Sequence, residues 1–246
     1  MLAIVGGSGL TRLANLDVSH REVVRTPFGD PSGALTFGRL GEAEVVFLAR
    51  HGYGHTIPPH LVNYRANLWA IATAAKADRI ISVASVGGIR AHLGPGTLVV
   101  PHQIIDYTWG RSSTFFDGGE SQVIHVDFTH PYDAALRGEL VRIAQNVGQP
   151  VVDGSVYAAT QGPRLETAAE IDRLERDGAD IVGMTGMPEA VLARELEIPY
   201  AALCVVANWA AGRADSSQGI HFESIEEVLH ASLAQARLII EGFCAS

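Results

Sequence analysis

Short apolar runs, each closing on glycines or on side chains able to do chemistry, limit the fold of this chain more than any other feature. Residues 2–5 lead into Gly6-Gly7-Ser8-Gly9, residues 45–49 into Arg50-His51, and residues 80–86 contain Ser85 and lead into Gly87-Gly88. Runs of this length without alternation read as strands covered on both faces. Between the last two, residues 63–76 carry Leu68, Ile71 and Ala75 at helical spacing, as an α/β crossover would. Further strands are expected at 98–101, 156–160, 181–183 and 200–207. Helices are expected at 134–146, 167–177, 188–196 and 225–244, the last capped around Glu223-Ser224. No repeat, charge block or low-complexity linker divides the sequence, so residues 1–246 read as one α/β domain. Residues 106–131 stand apart, being long, polar, aromatic and without a period; loops of that length usually serve function or an interface.

Charge narrows the partners. With 18 Lys and Arg against 27 Asp and Glu, the formal charge is −9, which disfavours nucleic acid and anionic membrane surfaces as partners. Lys76 is the sole lysine, so an anionic ligand has to be met by arginine and by local donors. Cys204 and Cys244 form neither a disulfide framework nor a zinc spacing. No secretory leader and no run of about 18 uncharged apolar residues is present. The expectation is a soluble protein of the reducing cytoplasm.

The strand-end motifs have both chemical and plain readings. Gly6-Gly7-Ser8-Gly9 offers backbone N–H groups and a hydroxyl to a small anion, or is simply a tight turn. It matches neither the dinucleotide nor the P-loop pattern. Arg50 suits a phosphate, or is a surface arginine beside satisfied histidines. Zinc on His51, His55 and His60 is the weaker idea, because no helix faces them one way. Glu166 opens a helix, where a carboxylate by default favours the dipole, and Asn208 ends a strand, where structural amides are common. Arg213 and Asp215 have no assigned role. No nucleophile triad is evident.

Taken in order, the motifs resemble the trimeric purine nucleoside phosphorylase and methylthioadenosine phosphorylase family. The resemblance runs through Gly6-Gly7-Ser8-Gly9-Leu10, Arg50-His51 with His55, and His60 with Asn63-Tyr64-Arg65-Ala66-Asn67. It continues through Gly87-Gly88-Ile89 with Pro95-Gly96, then Thr160-Gln161-Gly162-Pro163-Arg164, then Gly183-Met184-Thr185-Gly186-Met187-Pro188-Glu189. It implies a central twisted mixed β-sheet flanked by helices, and phosphorolysis of a purine nucleoside with inorganic phosphate as co-substrate and no metal or organic cofactor. It places Ser8, Arg50, His51, Ser85 and Thr185 on phosphate, Met184 on the sugar, and Glu166 and Asn208 on the base as the catalytic pair. A homotrimer is implied, with His125 reaching a neighbour's active site.

Two positions bear on the substrate. Glu166 and Asn208 stand where the resemblance puts a serine and an aspartate in adenine-specific members. A carboxylate accepts the N1–H of a 6-oxopurine and an amide can donate toward O6 or N7, whereas adenine N1 is itself an acceptor. Ile225 and Leu229 fall at apolar positions that suit a 5′-methylthio group, although His221 keeps a 5′-hydroxyl site in play. The combination resembles the branch that acts on S-methyl-5′-thioinosine, releasing hypoxanthine and S-methyl-5-thioribose 1-phosphate. The rivals are an ordinary inosine and guanosine phosphorylase, a methylthioadenosine phosphorylase, and a catalytically silent nucleoside-binding protein.

Overall fold

The computed structural model describes residues 1–118 and 122–246. In chain order its elements are β1 (Leu2–Gly6), β2 (Asp17–Glu22), β3 (Leu35–Leu40), β4 (Ala43–Ala49), α1 (Tyr64–Thr73), β5 (Arg79–Gly88), β6 (Leu98–Val100) and β7 (Gln103–Asp106). They continue with α2 (Ala134–Asn146), β8 (Val152–Asp153), β9 (Val156–Ala159), α3 (Ala168–Arg176), β10 (Ile181–Gly183), α4 (Gly186–Glu195), β11 (Tyr200–Trp209) and α5 (Phe222–Cys244).

All strands join one mixed sheet, in the order β2-β3-β4-β1-β5-β10-β9-β7, with β11 pairing β5 and β6, and β6 pairing β8. Strands β1, β4, β5 and β11 run parallel in its middle. Every residue of β1 is buried, because helices cover both faces. Ala3 and Val5 pack toward Leu68 and Ile71 of α1 and Ala190 and Ala193 of α4. Leu2 and Ile4 pack toward Leu140 and Ile143 of α2 and Ala236 and Ile240 of α5. Each such Leu, Ile or Val contributes about 1.5–3 kcal/mol of burial free energy.

β5 is where the sheet divides. Its first half lies between β1 and β11, while Gly87 and Gly88 pair with β10 in the opposite direction. The carboxyl ends of β1, β4, β5 and β11 therefore open onto a common crevice, the usual place for a ligand in an open α/β sheet.

Helix starts follow local chemistry. Asn63 and Asp133 cap α1 and α2 by accepting the backbone N–H of Ala66 and Leu136. Thr167 and Glu170 form a reciprocal capping box on α3. The expected helix at 188–196 begins slightly earlier, but Met187 is non-helical, so the regular turn starts at Pro188, where a fixed φ and a missing N–H are tolerated. The expected cap of the last helix is corrected: α5 starts at Phe222, which puts Glu223 inside its first turn, and His221 holds the cap position without a side-chain bond.

Residues 107–118 and 122–131 form no helix or strand. Arg111 anchors this segment by donating to the carbonyls of Thr160, Gln161, Met184 and Met187. Cys204 and Cys244 are both free. Among the described residues no helix is long and apolar enough to cross a membrane.

Candidate active site

A cavity of about 690 Å³ lies at the carboxyl ends of the central strands. Ser8 reaches it from the turn after β1, Arg50 and His51 from the end of β4, and Ser85 from β5. Met184 and Thr185 reach it after β10, Glu166 ahead of α3, and Asn208 from β11. Ile225 and Leu229 line it from α5. His125 is exposed and does not line this cavity.

At the anion end the β1 turn lies against the buried arginine. A Cβ on Gly7 would sit 2.9 Å from Arg50 Nη1 and 2.7 Å from the Val83 carbonyl oxygen, so only glycine fits. Ser8 Oγ lies 2.9 Å from Nε2 of His55. Thr185 is buried at the N-cap of α4, yet its side chain makes no capping bond.

Arg50 differs from the open fork that an arginine at a strand end suggests. It is 0% exposed. Its Nε donates to Glu189 Oε2 at 2.6 Å, its Nη2 to Glu189 Oε1 at 2.8 Å and to Ser82 Oγ at 2.6 Å, and its Nη1 to the Val83 carbonyl at 3.2 Å. One Nη1–H is left for the cavity. Burial works against the charge, but the Glu189 carboxylate outweighs it and holds the guanidinium pKa above its usual value. Glu189 also accepts from the Tyr200 hydroxyl at 2.8 Å.

His51 is positioned by Ile57, whose carbonyl oxygen is 2.8 Å from Nδ1. A carbonyl can only accept, so Nδ1 carries a proton and Nε2 is the lone-pair nitrogen of the neutral ring. Burial, followed by the positive charge of Arg50, lowers its pKa to about 4. The imidazole is neutral at pH 7.

At the other end Glu166 Oε1 accepts from Thr160 Oγ1 at 2.6 Å, leaving Oε2 for a ligand. Burial raises its pKa. Asn208 follows a bulge in β11, where the register against β5 shifts between Val206 and Asn208. Its Nδ2 donates to the Trp209 carbonyl at 2.6 Å, which fixes the amide plane and leaves its second N–H and its oxygen. The remaining wall is apolar, with Ile220 and Phe222 joining Ile225 and Leu229, while His221 is exposed and not part of the lining.

Three contacts do not follow from the sequence: Glu189 behind Arg50, Thr160 behind Glu166, and His55 beside Ser8. All three lie inside the motif blocks, but nothing local indicates which residue they contact. Asp215 is exposed in a short 3₁₀ turn. Among the described residues no cluster of three metal-binding side chains occurs.

The open α/β sheet thus brings a buried arginine, a carboxylate and an amide to one crevice. The chain belongs to the phosphorylase superfamily, whose family profile matches residues 1–245. It is 50% identical over 240 residues to a probable S-methyl-5′-thioinosine phosphorylase of Xanthomonas campestris, covering 98% of this chain and 96% of that one. It is 45% identical over 244 residues to a 6-oxopurine nucleoside phosphorylase of Pyrococcus furiosus, covering 97% and 90%. Among solved structures, methylthioadenosine phosphorylase from Schistosoma mansoni in complex with adenine superposes with a TM-score of 0.94 at 31% identity, covering 99% of this chain and 90% of that one.

Proposed function

We propose that this chain cleaves the N-glycosidic bond of a 6-oxopurine nucleoside with inorganic phosphate, acting on S-methyl-5′-thioinosine to give hypoxanthine and S-methyl-5-thioribose 1-phosphate. The reading is carried by one observation: Glu166 and Asn208 line the same cavity, each with its partner already assigned and one face left for a base. The names of the relatives that are about half identical to the chain agree with a keto purine.

In this reading phosphate lies between the Gly7–Ser8 turn, the remaining Nη1–H of Arg50, His51, Ser85 and Thr185. Its oxygen attacks the anomeric carbon as the bond to N9 breaks, and the bonding pair leaves with the purine. Glu166 accepts N1–H and Asn208 donates toward O6 or N7, where negative charge collects. A proton from solvent completes the free base. Catalysis is then positional and electrostatic. In this reading phosphate is a co-substrate. At the 5′ end, Ile225 and Leu229 favour a thioether over a hydroxyl. The same reading takes the protein as a cytoplasmic homotrimer in which His125 completes a neighbour's cavity, which agrees with its lying outside its own.

The test compares methylthioinosine, methylthioadenosine, inosine and guanosine, each with and without phosphate. The expected result is phosphate-dependent release of base, fastest from methylthioinosine. Preference for methylthioadenosine overturns the base assignment, and preference for inosine overturns the 5′ assignment. Binding without any release identifies a silent nucleoside-binding protein.

A further inference from the structure

Glu166 and Asn208 belong to different segments, one leading into α3 and the other ending β11. Hydrogen bonds to a single purine ring demand a fixed spacing between these two arms, and what holds the second arm against the first is visible just beyond the cavity. After Asn208 the chain passes Ala210 and Ala211, which line the cavity, and reaches Gly212 and Arg213.

Gly212 has φ +77°, and a Cβ there would stand 2.8 Å from the Cβ of Ala168, the first residue of α3. The loop backbone thus lies directly on the helix start, two residues beyond Glu166. One turn and two turns further along the same face of α3, Asp172 and Glu175 meet Arg213. Its Nη1 is 2.9 Å from Asp172 Oδ1 and its Nη2 is 2.7 Å from Glu175 Oε2. The spacing 168, 172, 175 is that of one helix face. Glu175 also accepts from Arg90, just past β5, at 3.3 Å, and Arg90 continues to Asp180 at 3.1 Å. Isolated surface pairs contribute little. Here the arginine is only 19% exposed and spans two carboxylates of a network, so its guanidinium is held in one place.

We infer that Arg213, seated by Gly212, is a positioning residue for base recognition: a clasp that fixes the Asn208 arm at the spacing from Glu166 that a purine edge requires. This rests on the proposed reading of those two residues as base contacts. Neither Gly212 nor Arg213 lines the cavity, and that sets the clasp's signature. Loosening it should weaken nucleoside binding and base discrimination while leaving phosphate alone.

Steady-state kinetics of the full chain test this, varying nucleoside at saturating phosphate and then the reverse. Arg213→Gln should raise the nucleoside KM by about tenfold with phosphate KM within about twofold, the range for coupling through a remote group. It should also narrow the preference for methylthioinosine over methylthioadenosine, and Arg213→Lys should recover part of the loss. Asp172→Asn, at a side chain 57% exposed, approaches the same clasp from the helix and should change the same constant in the same direction, even if Arg213→Gln does not fold. An unchanged nucleoside KM in folded variants overturns the clasp, as does an equal rise in both KM values. Loss of the underlying reading shows instead in the unsubstituted chain, as no phosphate-dependent release of hypoxanthine.

Discussion

Glu189 grips Arg50 with both carboxylate oxygens, at 2.6 and 2.8 Å, in a part of the core where both side chains are 0% exposed. The pair lies 139 residues apart in sequence and joins the end of β4 to α4. It therefore couples the position of the Arg50 guanidinium at the cavity to the integrity of the core.

Breaking that pair leaves a buried, uncompensated guanidinium. Glu189→Ala should destabilise the fold by about 3–5 kcal/mol, read as a drop in the denaturant midpoint. Glu189→Gln, which keeps the shape and an acceptor, should cost less and should raise phosphate KM, because the guanidinium is no longer held in place. An unshifted midpoint in both variants would mean that the pair contributes nothing to stability.

In the proposed reading, the raised pKa of Glu166 gives base selection a pH dependence. Above that pKa the carboxylate accepts N1–H of a keto purine. As pH falls through it the group gains a proton, loses that acceptor and becomes a donor suited to the N1 of an amino purine. Relative to methylthioadenosine, kcat/KM on methylthioinosine should fall toward acid pH. Glu166→Gln should flatten that trend and lower kcat/KM by about 10- to 100-fold, the effect of one mismatched polar contact. A ratio independent of pH in the unsubstituted chain would remove Glu166 from base recognition.

Asn208→Asp exchanges the amide donor for an acceptor and also removes the bond to the Trp209 carbonyl. The expected outcome is a shift of about tenfold or more in kcat/KM toward the amino purine, measured as the ratio between methylthioadenosine and methylthioinosine. No movement in the ratio would count against a base contact by this amide.

The 5′ wall can be probed by Leu229→Asn, which puts an amide on an apolar surface. Methylthioinosine should lose about 10- to 100-fold in kcat/KM relative to inosine, since a thioether buries well and accepts hydrogen bonds poorly. Equal losses on both nucleosides would place the 5′ group elsewhere.

The central strands were legible because a parallel strand covered on both faces has to be apolar along its length, as β1 is. Edge strand β2 was not legible. All six residues of its Asp17–Glu22 span are exposed, so nothing in its pattern separates it from a loop. Two-residue β8 carries too little sequence to register. In the site, the strand-end residues stand out by chemistry at a turn and line a common cavity, whereas His125, from the irregular segment, lies outside it. The partners did not stand out. Glu189 looks like any helical acid until the fold seals it against Arg50, and Arg213 looks like a solvated loop charge until α3 presents Asp172 and Glu175 to it.

The bulge in β11 makes Asn208 a matter of counting. Side chains alternate along a strand, so the extra residue between Val206 and Asn208 inverts the phase just before the strand ends. Were Ala207 to pair with Gly87 in its place, Asn208 would move opposite Gly88 and its amide to the other side of the sheet. The proposed base contact would then be lost without the loss of a single functional group, through a slip of register alone.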